Sequence, residues 1–348
     1  MKTPGDADVV VRGRAALLDA LDALSEHRRA VVLVGAQAIY LHTSSVPTGL
    51  AATTKDSDLA LDTRFLGNSP TVDAAMLAAG FHLDLTTNQP GAWLSADGMP
   101  IDIMVPEALA GGRGSRGMTV QPHSRQSARR AVGLEAAVVD NAVLDIAALD
   151  PTDPRVIGVA VAGPAALLVA KLHKLGERQQ QAPYRLSDKD AHDVYRLLSA
   201  FETAGLVKTL RLLSDDELAG DVTREAMAVL GDLFAGGESA VGSMMAGRAE
   251  ELVGDPQFVS QAVAVLAQDP GRHSRPERRP GSRCASVSAW SPVGKSGSSG
   301  SGSSRVPMLH GSRPGDVPPS TSAVRYRRHD QAFTVRSPAR TAAHDHAV

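Results

Sequence analysis

Residues 31–61 read VVLVGAQAIYLHTSSVPTGLAATTKDSDLAL, and the fold hangs on how this stretch is divided. Val31 to Val34 is a short unbroken apolar run, the pattern of a strand buried on both faces. Gly35 ends it, and Gly35 to His42 reads as the helix that follows. Asp56-Ser57-Asp58 then leads into a second apolar run, Leu59 to Leu61. Alternate residues of a strand share a face, so Asp56 and Asp58 stand side by side and can hold one cation. A further run, Ile101-Asp102-Ile103-Met104-Val105, can bring a third carboxylate beside them. Three acids presented from neighbouring strands, next to a glycine turn that opens a helix, suit a divalent ion carrying a nucleoside triphosphate.

Working outward, Ala16, Leu17, Ala20, Leu21 and Leu24 recur at helical spacing and predict an amphipathic helix over 12–28. A helix over 72–79 closes on Gly80, with strand pattern resuming at Phe81 to Leu85. Asp97-Gly98 between two short apolar runs in 93–104 is a hairpin signal whose second arm carries Asp102. Residues 108–131 hold Gly111, Gly112, Arg113, Arg116, Arg125, Arg129 and Arg130, the composition of a mobile loop. Apolar runs at Ala136 to Val139 and Val156 to Val161 are expected to complete the sheet. From Pro164 the pattern becomes helical, with helices predicted over 164–178, 188–200, 203–213, 222–235, 239–252 and 256–268.

Charge divides the chain. Residues 271–348 carry 13 Lys+Arg against 4 Asp+Glu, leaving 23 against 34 in residues 1–270, so a net charge of −2 conceals an acidic body and a basic tail. The tail, with SGSSGSGSS at 296–304, is too poor in apolar residues to fold and is predicted to be disordered over 270–348. It also holds the single cysteine, Cys284, so a disulfide framework and a cysteine zinc site are both excluded. The start, MKTPGDADVVVRGR, has no apolar segment, and no stretch of about 18 uncharged apolar residues occurs. The expectation is a cytoplasmic protein with no membrane partner. Aromatics are 3% of the chain, too few for the base-stacking platforms of single-strand binding modules.

The order apolar strand, glycine turn, Asp-x-Asp strand and later Asp resembles the nucleotidyltransferase superfamily of DNA polymerase β type, through Gly35-Ala36, Asp56-x-Asp58 and Asp102. Thr54-Lys55-Asp56-Ser57-Asp58-Leu59 is similar to the T-x-D-x-D-L signature of AbiEii-type toxins of type IV toxin–antitoxin systems. Lys171-Leu-His-Lys174-Leu-Gly-Glu-Arg178 and Asp188-Lys-Asp190-Ala-His-Asp193 are similar to that family's downstream helices. The resemblance covers about residues 30–200 and departs from the pattern at Ala36, where the family has a second Gly or Ser. It implies a nucleotidyltransferase-like mixed α/β sheet with flanking helices over 1–162, and a helical domain over 163–269. It also implies transfer of a nucleoside monophosphate from an NTP to an acceptor such as tRNA, with an antitoxin as a possible partner. Asp56, Asp58 and Asp102 would be the catalytic and Mg²⁺- or Mn²⁺-binding residues, and Gly35 and Ala36 the phosphate turn.

In the helical half, Lys171, Lys174 and Arg178 form one stripe at helical spacing and can hold triphosphate oxygens. Asp190 and Asp193 share a face of the next helix, where they can orient the cations, act in the site, or serve the helix dipole. Lys55 is placed to pair with Asp56 or Asp58. The rival to an enzyme is a non-catalytic binding or regulatory protein on the same fold, marked by Ala36.

Overall fold

Eight strands form one sheet, in the spatial order His82–Leu83, Ala92–Leu94, Pro100–Pro106, Ser57–Leu61, Val31–Val34, Val156–Ala162 and Asn141–Ala147, with Arg129–Ala131 added beside Pro100–Pro106. The structure, a computed structural model, describes residues 4–112 and 114–273. The strands are β1 (Val31–Val34), β2 (Ser57–Leu61), β3 (His82–Leu83), β4 (Ala92–Leu94), β5 (Pro100–Pro106), β6 (Arg129–Ala131), β7 (Asn141–Ala147) and β8 (Val156–Ala162). The sheet is mixed: β1 runs antiparallel to β2 and parallel to β8, while β2 and β5 run parallel. Every residue of β1 is buried, as its unbroken apolar run requires.

The helices are α1 (Pro4–Ala23), α2 (Gly35–His42), α3 (Val72–Ala78), α4 (Pro164–Gln181), α5 (Asp188–Ala200), α6 (Thr203–Ser214), α7 (Gly220–Leu233), α8 (Val241–Arg248) and α9 (Pro256–His273). α1 packs against β2, β5, β8 and α3, whereas α4 meets α2, α5, α6 and α7. One continuous aliphatic core, from Leu17 and Leu21 of α1 through Leu33, Leu59 and Ile103 to Leu168, Leu172 and Leu230, joins the two halves. All these elements belong to one compact unit. No helix among the described residues is long and apolar enough to cross a membrane.

The mixed α/β sheet with flanking helices is the architecture expected, and several boundaries differ for physical reasons. α1 stops at Ala23, and Ser25–Ala30 is a 3-10 helix with His27 buried. Ala136 to Val139 is not a strand. It lies in a turn whose Ala136, Ala137 and Val138 are buried, and the strand comes next, at Asn141–Ala147. An apolar run reports burial, and a turn pressed into the core produces it as well as a strand does. The Arg-rich segment ends in a strand rather than a loop: Arg129–Ala131 pairs parallel to β5. The hairpin at Asp97-Gly98 forms as read, with Gly98 at φ +74° and Leu94 opposite Pro100. The tail prediction for 270–348 falls outside the described residues, apart from the last residues of α9.

Candidate functional site

The register of three strands lines up the predicted acids. Val34 is opposite Asp58 across the β1–β2 pair, and Asp58 is opposite Asp102 across the β2–β5 pair. Paired residues of adjacent strands point to the same side of a sheet, so Asp58 and Asp102 are neighbours on one face. Asp56 sits just before β2 and is exposed. Ser57, between them, points the other way and is buried, its Oγ accepting from Gln37 Nε2 at 2.6 Å. Gln37 Oε1 in turn accepts from Arg14 Nε at 3.0 Å, which ties α1, α2 and β2 together behind the acids.

Gly35 opens α2 directly beside Asp58. Its φ is +68°, and a Cβ there would run into the Asp58 carboxylate. Both facts demand glycine at this position. Val34 provides no side-chain cap to α2, so the first backbone N–H groups of the helix have no side-chain acceptor there. Ala36 is the second residue of the helix and half-buried.

The carboxylates crowd one another. Burial pushes Asp58 above the usual carboxylate range, and the charge of Asp102 pushes it further. Asp56 is likewise raised, by burial and then by Asp58, with Lys55 pulling in the opposite sense. Among the described residues Lys55 makes no ion pair with either acid; it acts on Asp56 only at longer range. Carboxylate oxygens are the donors that a hard divalent cation such as Mg²⁺ or Mn²⁺ takes. The set is not drawn closed, however. Among the described residues no three His, Cys, Asp or Glu side chains converge enough to hold a metal ion. Asp102 is instead engaged by Arg129, whose Nη1 donates to Oδ2 at 2.7 Å.

The α4 stripe is largely turned toward α5. Lys171 is buried, with Nζ 2.7 Å from Asp190 Oδ1 and 2.8 Å from Asp193 Oδ2. Burial by itself would depress this ammonium, but Asp193 and Asp190 more than reverse that and hold it above the ordinary lysine range. Asp190 also receives Lys174 at 3.1 Å and Arg178 at 2.7 Å. Burial would raise the Asp190 carboxyl; Lys171 and Lys174 override this and keep it well below its usual range. Lys174 differs from Lys171. Its side chain is 45% exposed, its pKa is lowered by burial and by Lys171, and it feels the charge of Asp58.

A cleft of about 1250 Å³ opens in front of these groups. Gly35 and Asp58 form part of its wall, with Arg129 and Arg130 from β6, Lys174 and Arg178 from α4, and Arg116 and Arg185. Asp56 and Asp102 are not among the lining residues, and neither are Asp190 and Asp193. The structure thus brings Gly35, Asp58, Lys171, Lys174 and Arg178 to one cavity and keeps Asp190 and Asp193 out of its lining, as anchors of the cations.

Sequence reasoning missed several contributors. Arg129 was visible only as one arginine of a loop, since its partner Asp102 lies 27 residues earlier. Arg130 pins the preceding segment through the carbonyls of Ala110, Gly111 and Gly112 and pairs with Glu107 at 3.1 Å. The segment that leads into Asp56 is held from α5 and the turn after α8. Lys189 Nζ donates to Thr53 O at 2.8 Å, Arg196 to Leu50 O, and Leu50 N donates to Glu250 Oε1 at 3.1 Å. Glu250 is itself bonded to His192 Nε2 at 2.7 Å. No local pattern marks these partners.

Comparison with protein-family models and with curated proteins finds no match. Among solved structures, the chain is similar to a protein from H. pylori provisionally named a nucleotidyltransferase. The likeness has 11% identity and a TM-score of 0.29, and covers 76% of this chain and 95% of that one.

Proposed function

We propose that the protein is a metal-dependent nucleotidyltransferase that moves a nucleoside monophosphate from an NTP to an acceptor hydroxyl, with RNA, tRNA in particular, as the acceptor. The observation that carries this reading is the register of Asp58 with Asp102 across β2 and β5, beside the Gly35 turn, where Gly35 and Asp58 share the wall of a cleft with Lys174 and Arg178. Asp58, Asp102 and Asp56 would hold Mg²⁺ or Mn²⁺, which when bound supplies Lewis-acid stabilisation of the phosphoryl oxygens.

The remaining work falls to side chains and backbone. Gly35 and Ala36 present the N-terminal amides of α2 to phosphate, where the helix dipole favours negative charge. Ala36 keeps the N–H that such a contact uses, because a methyl group removes no donor. Lys174 and Arg178 neutralise the triphosphate, and Lys171, held between Asp190 and Asp193, positions α5 against the stripe. The acceptor oxygen forms a bond to the α-phosphorus, the bond from that phosphorus to the α–β bridging oxygen breaks, and pyrophosphate leaves. Asp102 takes the acceptor proton.

Two features favour a polyanionic acceptor. The cleft exceeds the roughly 300–1000 Å³ of sites built for one small ligand, and its lining holds Arg116, Arg129, Arg130, Lys171, Lys174, Arg178 and Arg185 against Asp58, Glu107, Glu177, Glu225 and Asp232, a positive balance on an otherwise acidic body. Localised positive charge of this kind draws in nucleic acid. A toxin-like role, with an antitoxin to restrain it, is the biological setting we propose on the strength of the T-x-D-x-D-L resemblance.

The test is incubation of the full chain with Mg²⁺ or Mn²⁺, each labelled NTP and total tRNA, beside an Asp56→Ala/Asp58→Ala double variant. Label transferred by the native protein and lost in the variant is the expected result. If no label moves and calorimetry detects no metal-dependent NTP binding, catalysis is rejected and the chain is a binding module on this fold.

A further inference from the structure

We propose that His27 and His123 form an acid-labile clasp that fastens the segment leading into β6, and with it Arg129 and Arg130 of the cleft wall, to the start of α3. The inference is independent of the nucleotidyltransferase reading and concerns two buried histidines that the reading leaves unused.

The two rings meet edge to face with centroids 5.8 Å apart, and both are buried. Their partners fix the tautomers. A carbonyl oxygen only accepts, so His27 Nε2, 2.8 Å from Pro70 O, carries a proton. A backbone N–H only donates, so His123 Nδ1, 3.1 Å from Val72 N, carries none, and the neutral ring has its proton on Nε2. Val72 N is the first amide of α3, a helix donor with no intrahelical acceptor, and His123 satisfies it inside the protein. Protonating His123 places an N–H on both ring nitrogens. Two donors then face each other at Val72, and a buried amide loses its acceptor.

The same two segments are joined again at the next residue of α3. Asp73 accepts from Ser124 N at 3.1 Å and from Ser127 Oγ at 2.9 Å, while Ser127 O accepts from Trp93 Nε1 at 3.0 Å. Arg129 and Arg130 follow directly on this stretch and line the cleft. The clasp therefore holds the base of the strand that presents them.

The groups around His123 set the sign of the response. Burial depresses the ring below the ordinary histidine range and the charge of His27 adds to this, while the Gly67 carbonyl and Asp73 pull the other way without prevailing. Burial would raise Asp73, but the bonds from Ser124 and Ser127 hold it below the usual carboxylate range, so it keeps its charge where histidine titrates. A ring depressed in the closed form and ordinary in the open form gives the proton to the open form first. The clasp is complete above pH ~6.5 and loosens as pH falls, by at most about tenfold per pH unit for one proton.

The test is amide hydrogen exchange of the full chain at pH ~7 and pH ~5.5, with native protein and His123→Asn compared at each pH so that intrinsic exchange chemistry cancels. Asparagine offers an amide oxygen in place of Nδ1 and does not titrate. The ratio of native to variant exchange over residues 67–73 and 119–131 should rise severalfold, up to about tenfold, on acidification, and stay constant elsewhere. A constant ratio, or a rise spread evenly over the chain, overturns the clasp. Long-range ¹H–¹⁵N NMR of the native protein tests the same idea without any variant: at pH ~7 His123 should be protonated on Nε2 alone and His27 on Nε2. A proton on His123 Nδ1 at that pH would sink the proposal, whether or not His123→Asn folds.

Discussion

Lys171 and Lys174 lie one turn apart on α4 and reach the same Asp190 oxygen, yet their removal should have very different consequences. Lys171, Asp190 and Asp193 all have side chains less than a tenth exposed, at 9%, 8% and 1%. In Lys171→Met, Asp190 keeps Lys174 and Arg178, but Asp193 loses the one cation that pairs with it among the described residues. Both Asp193 oxygens are buried, and Lys171 Nζ at 2.8 Å compensates the charge. Leaving one charge of a buried pair uncompensated costs about 3–5 kcal/mol. Lys174→Met removes a side chain that is 45% exposed from an Asp190 that keeps two partners, and should cost at most about 1 kcal/mol. Urea denaturation followed by far-UV circular dichroism reads the difference, with the two variants separated by at least ~2 kcal/mol at unchanged m-value. Lys171→Met/Asp193→Asn should recover a substantial part of the loss, since the orphaned charge is then gone. Equal cost for the two single substitutions, or no recovery in the double, would refute the assignment of Lys171 as an internal counter-ion.

Other predictions concern the glycine turn, the cleft wall and the buried histidine. Gly35→Ala forces a side chain into a left-handed conformation, worth about 1–2 kcal/mol, and pushes it against Asp58; both the urea midpoint and Mn²⁺ binding should fall, and retention of both would remove Gly35 from the site. Arg130→Ala should speed amide hydrogen exchange over residues 110–118 with little change in the melting temperature, because the carbonyls of residues 110 to 112 lose their donor; unchanged protection there would show that the segment is held by other contacts. His192 is depressed chiefly by burial, although Glu250 pulls it the other way. A depressed folded-state pKa means that the unfolded chain takes up the proton first, so the neutral ring stabilises fully above pH ~6.5 and its contribution is lost as pH falls, by at most about 1.4 kcal/mol per pH unit. Melting temperature measured between pH 7.5 and 5 should therefore decline less in His192→Gln than in native protein, and parallel curves would exclude the linkage.

The parts of this molecule that were legible in one dimension are those whose cause is local. β1 announced itself because a strand buried on both faces must be apolar at every position. The boundaries of α5 at Asp188 and Ala200 matched the reading, since helical periodicity and a polar start lie within a few residues of each other. Asp58 was legible as a strand residue from the apolar run that follows it, whereas the strand starts only at Ser57 and leaves Asp56 before it. The edge strand Asn141–Ala147 was not, because the buried turn before it carries the stronger apolar signal.

Partnership across the chain had no such local cause. The residue types at Gly35, Asp58 and Asp102 were enough to nominate a phosphate and cation site, but the alignment of Asp58 with Asp102 depends on β2 and β5 pairing in parallel at one register. Lys171, Lys174 and Arg178 look alike along a helix; only the approach of α5 makes Lys171 an internal counter-ion and leaves Lys174 toward Asp58. Arg129 reached Asp102 through a strand that forms only when β5 offers an edge. Chain chemistry sets which groups are available and how they alternate, because those follow from backbone geometry over a few residues. Which of them become neighbours is settled by packing between distant segments, where charge, burial and register are established together.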